Sequence, residues 1–401
     1  MRYAFVPPRY FEGLAGGAET LMANVAKNLA LRGDHVEIWT TCAKDNRTWE
    51  NFFPEGEESS GGLLIKRFPV DERDISKWIP RQISISEGMK IGIDEELIWA
   101  EESVHSRRLY AHIEKFGKDF DALFFGPYLF GTAIFGSQIH PERSVLIPCL
   151  HDECFAYLEV IKAMFRAVRG CVFNAEGEKD LARVLYGPEV KGEAAGMGFE
   201  PYRGLPPSRY FNDDAPYLLY LGRKETMKNV QILIDYFISG KDKKILPDTL
   251  KLVVAGGGSF SDLHRPKALT RGDVIDIDHV SEEDKKKLLA HCVALVQPSP
   301  NESFGIVQME AWLLGVPVVV SSQSVVTKDH VVKSGGGLYF FDEKDLWGVS
   351  LELLNNPELR TQMGQNGKNY VETVYSWDAV IARFNSAITS IFGAHDAGAR
   401  L

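Results

Sequence analysis

The stretch QPSPNESFGIVQMEAWLLGVPVVVS, residues 297–321, decides the fold. It reads as the exit of a buried strand over 293–297, a polar turn over 298–303, a short helix entered through Phe304 and Gly305, and a second buried strand over 316–320. A helix N-terminus offers unpaired N–H groups and the positive end of a dipole, which suits phosphate. Gly305 leaves room for a ligand to approach the backbone where a side chain would block it. Glu302 in the turn and Glu310 in the helix can accept hydrogen bonds from hydroxyls. A molecule carrying both phosphates and sugar hydroxyls would use all of these groups.

Outward from this stretch the chain keeps alternating strand and helix. A strand over 3–6, a loop with Gly13, Gly16 and Gly17, a helix over 18–32 and a strand over 35–40 open a doubly wound α/β domain. Ligands of such domains sit at the C-terminal ends of strands. A glycine loop alone would equally serve a tight turn. Further strands are expected over 63–68, 122–125, 145–150 and 171–173. Residues 69–117 are richer in charge and carry no motif, with one helix expected over 94–115. His151 ends the strand over 145–150, where imidazole can donate and accept hydrogen bonds near neutral pH or simply close the strand on backbone. A helix over 155–169 puts Lys162, Arg166 and Arg169 on one side. That side fits anionic lipid headgroups at the inner face of a membrane, or a lipid-diphosphate acceptor, or a merely solvated face.

Residues 192–214, with four prolines and glycines between 196 and 204 and more beyond, have the composition of a linker. A second doubly wound domain begins with a strand over 217–221, then Gly222, Arg223 and, at the next helix start, Lys228. Two cations so placed can converge on a diphosphate, Arg as a planar fork and Lys as a point charge. A strand over 251–255 ends in Gly256, Gly257 and Gly258, and one over 274–277 leads to Asp278, His279 and Val280. Glycines at 335–337, a strand over 338–340 and helices starting near Glu343, Pro357 and Trp377 complete the chain, with a mobile tail expected over 394–401.

Bulk properties narrow the reading. The 401 residues, 45% hydrophobic and 25% charged, suit two soluble domains. A net charge of −10 without a basic run argues against nucleic acid. The uncharged run over 122–139 is broken by Gly126-Pro127, Gly131 and Gly136, so it reads as strand, turn and helix rather than a membrane span. Five cysteines without CxxC spacing read as reduced thiols. With no secretory leader at the start, a cytoplasmic protein is expected.

The string PSPNESFGIVQMEAWLLGVPVVVS, with Ser303-Phe304-Gly305 after the first acid and Gly315-Val316-Pro317-Val318 after the second, resembles the signature of the fourth glycosyltransferase family. These are retaining enzymes that use nucleotide sugars and have the GT-B fold. Gly16-Gly17-Ala18-Glu19 resembles the family's GGxE segment, and LGRKETMKN over 221–229 its strand-end Arg and following Lys. The resemblance is close over 217–321, fair over 1–40 and 146–173, and absent from 69–117.

The resemblance implies two Rossmann-like domains across a cleft: an acceptor domain over 1–195 and a donor domain over 196–376. A terminal helix within 377–401 would cross back to the first. It implies a nucleotide diphosphate sugar as co-substrate, with Glu310 on the ribose and Gly222, Arg223 and Lys228 at the diphosphate. Amides of Ser303, Phe304, Gly305 and Ile306 would lie near the phosphates. Gly16 and Gly17 would leave room for phosphate and acceptor, and Gly256, Gly257 and Val280 would meet the nucleoside. His279 stands where the family has Gly, which leaves the base open. Glu302 and His151 would hold the transferred sugar, making His151, Arg223, Lys228 and Glu302 the catalytic set. No cofactor or metal is expected. The implied reaction moves mannose or glucose to a hydroxyl of a glycan, lipid-linked or small-molecule acceptor. Rival readings are an epimerase or hydrolase of the same fold, and a dinucleotide oxidoreductase. The last lacks G-x-G-x-x-G spacing and has only Glu37 as a ribose acid.

Overall fold

Runs such as Tyr217–Leu221 and Val318–Ser321 are apolar along their whole length, and strands of that kind need cover on both faces, which parallel sheets obtain from crossover helices. The computed structural model describes every residue except 12, 14–16 and 394–401. Gly16 and the tail over 394–401 therefore lie outside the described residues. The chain divides into two units, Met1–Gly198 with Trp377–Leu401, and Phe199–Ser376.

The first unit holds an eight-stranded sheet in the order Gly56–Ser60, Leu63–Phe68, His35–Thr41, Arg2–Val6, Ala122–Phe125, Ser144–Leu146, Gly170–Phe173, Gly192–Ala194. All neighbours are parallel except the Gly56–Ser60 and Leu63–Phe68 hairpin. Gly192–Ala194 was expected as linker. It is instead an edge strand on Gly170–Phe173, covered by the terminal helix Trp377–Phe392. That helix buries Val380, Ile381, Phe384, Ile388 and Ile391, and Gly170 makes way for it: a Cβ there would stand 2.9 Å from Ile391 Cγ1.

Three expected elements in this unit are shorter or split. The helix expected over 94–115 is two helices, Ile93–Glu101 and Arg107–Phe116. Ser106 caps the second by accepting from Leu109 N–H at 3.2 Å, while Val104 C=O accepts from Thr132 N–H at 3.1 Å, so the intervening turn belongs to the core. The strand expected over 145–150 stops at Leu146. Pro148 has no N–H to continue the ladder, and Cys149 takes φ +54°, which turns the chain before His151. The helix expected over 155–169 becomes a 3₁₀ turn, Cys154–Tyr157, and the helix Glu159–Ala167, because Leu158 between them is extended. A further helix, Ile75–Ser86, with Asp74 as its cap, forms in the segment that carries no motif.

The second unit is a six-stranded parallel sheet in the order Val274–Ile277, Lys251–Ala255, Tyr217–Leu221, Ala294–Gln297, Val318–Ser321, Gly337–Phe340. Its chain order reverses between Tyr217–Leu221 and Ala294–Gln297, and a crevice opens at the carboxyl ends of such a pair. Gly222 follows the first of these strands and the turn leading to Gly305 follows the second. Ser281 caps Glu282–His291, Ser324 caps Val325–Ser334, and Asp342 caps Glu343–Asn355, each side chain accepting a first-turn N–H. The core centres on Val230, Leu233, Ile234 and Phe237 of the helix Val230–Asp242 against Leu252, Val254 and Val296 of the sheet.

Candidate active site

At the reversal point of the second sheet the backbone turns press together. Gly256 has φ +128°, and a Cβ on it would stand 2.2 Å from Gly222 C=O, so only glycine fits. Gly257 gives way to His279, whose Nε2 would lie 2.7 Å from a Cβ there. The imidazole of His279 thus lies against the glycine turn, and Val280 beside it is half-buried.

Of the two cations read as a diphosphate clamp, Arg223 extends outward, 64% exposed, with Nη1 2.8 Å from Glu225 Oε1. Lys224, which the sequence reading passed over, is fully buried. Its Nζ lies 2.6 Å from Asp276 Oδ1 and donates to Ile277 C=O at 3.1 Å and Gly258 C=O at 3.3 Å. This one ammonium ties the ends of three adjacent strands. No sequence signal marks it, since lysine is seldom buried and nothing in GRKETMK separates it from its neighbours.

Lys228 ends the 3₁₀ turn Thr226–Lys228 and meets Glu302: Nζ and Oε1 are 2.8 Å apart, both side chains partly buried. A residue expected on phosphate and one expected on sugar are therefore ion-paired to each other. Gly305, at φ +85°, is the N-cap of Ile306–Leu313, and a Cβ on it would stand 3.1 Å from both Gln308 Oε1 and Thr327 Cγ2. Ser303 and Ile306 flank it half-buried, while the Phe304 side chain is 2% exposed. That ring packs edge-on against His330 at 5.5 Å and Tyr375 at 5.1 Å between centroids, so it anchors the turn from inside and leaves only its backbone for a ligand. Burial pushes the His330 pKa down to about 4, and its Nδ1 lies 3.1 Å from Tyr370 Oη. His330 also escaped the sequence reading, because it lies in a helix with no motif.

Glu310 pairs with Lys285 at 2.7 Å, and Lys285 with Glu282 at 2.8 Å. Burial raises the Glu310 pKa despite the opposing ammonium. Burial also works against the Lys285 charge, but Glu310 and Glu282 outweigh it and its pKa is raised. Glu310 lines a cavity of about 280 Å³ together with Tyr202, Arg203, Lys285, Lys286 and Leu289. Lys285 was not anticipated: it belongs to the helix Glu282–His291, outside the quoted stretches.

In the first unit Gly17 is the exposed first residue of Gly17–Leu31. The acid two residues on, Glu19, is buried on Arg9 at 2.8 Å, and Arg9 also donates to Lys44 C=O at 3.0 Å. His151 is half-buried in the turn after Ser144–Leu146, its Nδ1 3.6 Å from Glu153 Oε1, which accepts from Tyr128 O–H at 2.7 Å. Behind that turn Glu178, 1% exposed, accepts from Leu150 N–H at 2.6 Å and Asn174 N–H at 2.5 Å. Burial pushes its pKa up to about 8 against the amides that favour the charge. The expected basic side is partly taken up inside the chain. Lys162 pairs with Glu159 at 3.3 Å, and Arg166 donates to Tyr186 C=O at 3.0 Å. Arg169 lies past the helix end, over the Phe392 ring.

Residues 205–370 match the family described as glycosyl transferases group 1. The second unit belongs to the glycosyl transferases of group 1. An uncharacterized glycosyltransferase of Methanocaldococcus jannaschii is 31% identical over 174 residues, 42% of this chain and 43% of that protein. The chain thus spans less than half the length of the curated relatives it matches. Among solved structures, a sucrose-phosphate synthase from Thermosynechococcus elongatus superposes with a TM-score of 0.74 over 98% of this chain and 100% of that one, at 17% identity. An Anabaena protein, HepE, in complex with UDP-glucose gives 0.67 over 97% and 100%, at 15% identity. The fold is GT-B, with a Rossmann-like sheet in each unit. Among the described residues of this glycosyl transferase fold, no group of three or more His, Cys, Asp or Glu is placed to hold a metal ion. Nor is any described helix long and apolar enough to cross a membrane.

Proposed function

We propose that the chain transfers a hexosyl group from a nucleotide diphosphate sugar to an acceptor hydroxyl, with retention at the anomeric carbon and without a metal. The observation that carries this reading is the Lys228–Glu302 ion pair, 2.8 Å long, beside the Gly305 turn that opens Ile306–Leu313. The two partners want different things from a donor. The ammonium suits a β-phosphate and the carboxylate suits sugar hydroxyls, so a nucleotide sugar replaces one internal ion pair by two charge-assisted contacts. Partial exposure of the pair keeps that exchange inexpensive, since such pairs contribute little to stability.

In this reading the bond from the anomeric carbon to the diphosphate oxygen breaks, and its electron pair goes to the departing diphosphate. The acceptor hydroxyl attacks from the same face and passes its proton to a diphosphate oxygen. Charge grows on the leaving group as the bond lengthens, so Lys228, Arg223 swung from Glu225, and the amides of 303–306 stabilise the transition state more than the ground state. Glu310 takes the ribose hydroxyls, next to the cavity it lines. His151 contributes hydrogen bonds to the transferred sugar. The likeness of the fold to a structure holding UDP-glucose supports a nucleotide sugar as the donor.

A thermal-shift panel of nucleotide sugars tests the reading. A true donor at a hundred times its dissociation constant stabilises by about 2.7 kcal/mol. Proton NMR of the product then gives its anomeric configuration. A shift with nicotinamide dinucleotide and none with any nucleotide sugar would overturn the proposal, and donor consumption at full rate without acceptor would make the protein a hydrolase.

A further inference from the structure

The segment over 69–117, which carries no motif, forms one wall of a cavity. Its helices Ile75–Ser86 and Ile93–Glu101, and the turn between them, stand over the chain that leaves His151, and about 440 Å³ opens between the two. Ile85, Met89, Ile91 and Ile93 make an apolar wall from the segment. Opposite chemistry comes from Asp152, Glu153, Glu96 and Glu159, with Lys90 the single cation among the lining residues.

The acids are oriented rather than loose. Asp152 accepts from Tyr157 O–H at 2.7 Å, Glu153 from Tyr128 O–H at 2.7 Å, and Glu96 from Val160 N–H at 3.0 Å. Hydroxyls and an amide orient these carboxylates, and His151 Nδ1 lies 3.6 Å from Glu153 Oε1. Among the lining residues an incoming anion would meet four carboxylates, of which Glu159 is offset by Lys162 at 3.3 Å, and the Lys90 ammonium, whereas hydroxyl groups would find acceptors already aimed. The apolar wall meanwhile leaves Met89 56% and Ile93 49% exposed, surface that an occupant with a hydrocarbon or aromatic body would cover. The volume is that of a small-ligand pocket.

We propose that this cavity takes the acceptor, and that the acceptor is a neutral amphiphile: an apolar body against Met89, Ile91 and Ile93, with hydroxyls on Asp152 and Glu153. Phosphorylated and sulfated acceptors are rejected. The word acceptor rests on the transferase reading above, but the binding does not. The inference also turns away from a lipid diphosphate, the acceptor that the basic side of the neighbouring helix suggests.

Cys154 supplies a readout independent of catalysis. It lines the cavity and is exposed, with its thiol 3.9 Å from Ser86 C=O, whereas Cys42, Cys149, Cys171 and Cys292 are buried. The rate of its modification by a small methanethiosulfonate is measured in the full chain with n-octyl glucoside, octyl phosphate or glucose, each below micelle formation. Octyl glucoside should protect saturably, octyl phosphate should need at least about tenfold more, and glucose alone should protect little. Met89→Trp, at an exposed position, should abolish protection by filling the space. Asp152→Asn should narrow the gap between the neutral and anionic probes. Equal protection by both probes, or none by octyl glucoside, overturns the proposal. Protection without a thermal shift from any nucleotide sugar would sink the transferase reading and leave the cavity assignment standing; a nucleotide-sugar shift without protection would do the reverse.

Discussion

Each unit secures the turns after its strands with a buried ionisable side chain, a lysine in one and a glutamate in the other. In the second unit Lys224 donates to the carbonyls of Gly258 and Ile277. In the first, Glu178 accepts from the amides of Leu150 and Asn174. Peptide groups that leave a sheet ladder lose their partners, and burying them unpaired costs free energy. Where two carbonyls face inward an ammonium can gather both, and where two N–H groups do, a carboxylate can. Which of the two side chains serves follows from the backbone groups the turn presents. The consequences differ too, because Lys224 has a carboxylate beside it at 2.6 Å whereas Glu178 is held by amides.

The sharpest way to break this comparison is Lys224→Met, which keeps bulk and removes the charge. Two carbonyls would then lack their donor while Asp276, which is exposed, keeps water, and we expect a loss of about 1–3 kcal/mol. Urea unfolding of the full chain reads it out. A midpoint at the wild-type value would mean that the strand ends need no such tie. Lys228 is four residues away and should behave otherwise. Its pair with Glu302 is partly exposed, so Lys228→Ala should change stability by no more than about 1 kcal/mol. Turnover, in contrast, should fall about 10²–10³-fold if the side chain serves the leaving diphosphate. Steady-state kinetics beside thermal unfolding separates the two lysines, and a variant that loses stability but keeps kcat would exchange their roles.

That separation could not be made from the sequence. Three strands of the second sheet were legible to the residue, because fully apolar strands and glycine turns are local signals: Tyr217–Leu221, Lys251–Ala255 and Val274–Ile277 lie where their patterns put them. The doubly wound order of the second sheet followed from the same alternation. What stayed hidden depends on partners distant in the chain. Lys224 and Glu178 look like surface residues in their own helices and turns, and only the strands around them make them core. His330 belongs to no motif, and the rings of Phe304, Tyr370 and Tyr375 are what pack around it. Local signals also misled. The apolar spacing over 94–115 runs on through a break that Gly131 and Ser106 impose: a Cβ on Gly131 would stand 2.8 Å from Val104 C=O. The strand thought to carry His151 ends at Leu146 because Pro148 and the left-handed Cys149 follow.

The pH dependence of stability tests the two anchors most directly. Burial raises the Glu178 pKa from the ordinary 4.5 to about 8, so between those values the folded state holds a proton that the unfolded chain has released. Stability from this group is therefore complete below about pH 4.5, declines as pH rises through the window, and levels off above about 8. The slope is at most about 1.4 kcal/mol per pH unit. Glu178→Gln keeps one acceptor oxygen and cannot titrate, so subtracting its stability curve from the wild-type curve isolates the effect. His330 in the second unit bends the profile the other way: with its folded pKa pushed down to about 4, stability falls as pH drops from the ordinary 6.5 toward 4. A wild-type-minus-variant difference that declines between pH 5 and 8 would show a buried acid paying for its proton. A flat difference would mean that the amides of Leu150 and Asn174 hold Glu178 charged throughout, and that the two units anchor their turns with permanent charges of opposite sign.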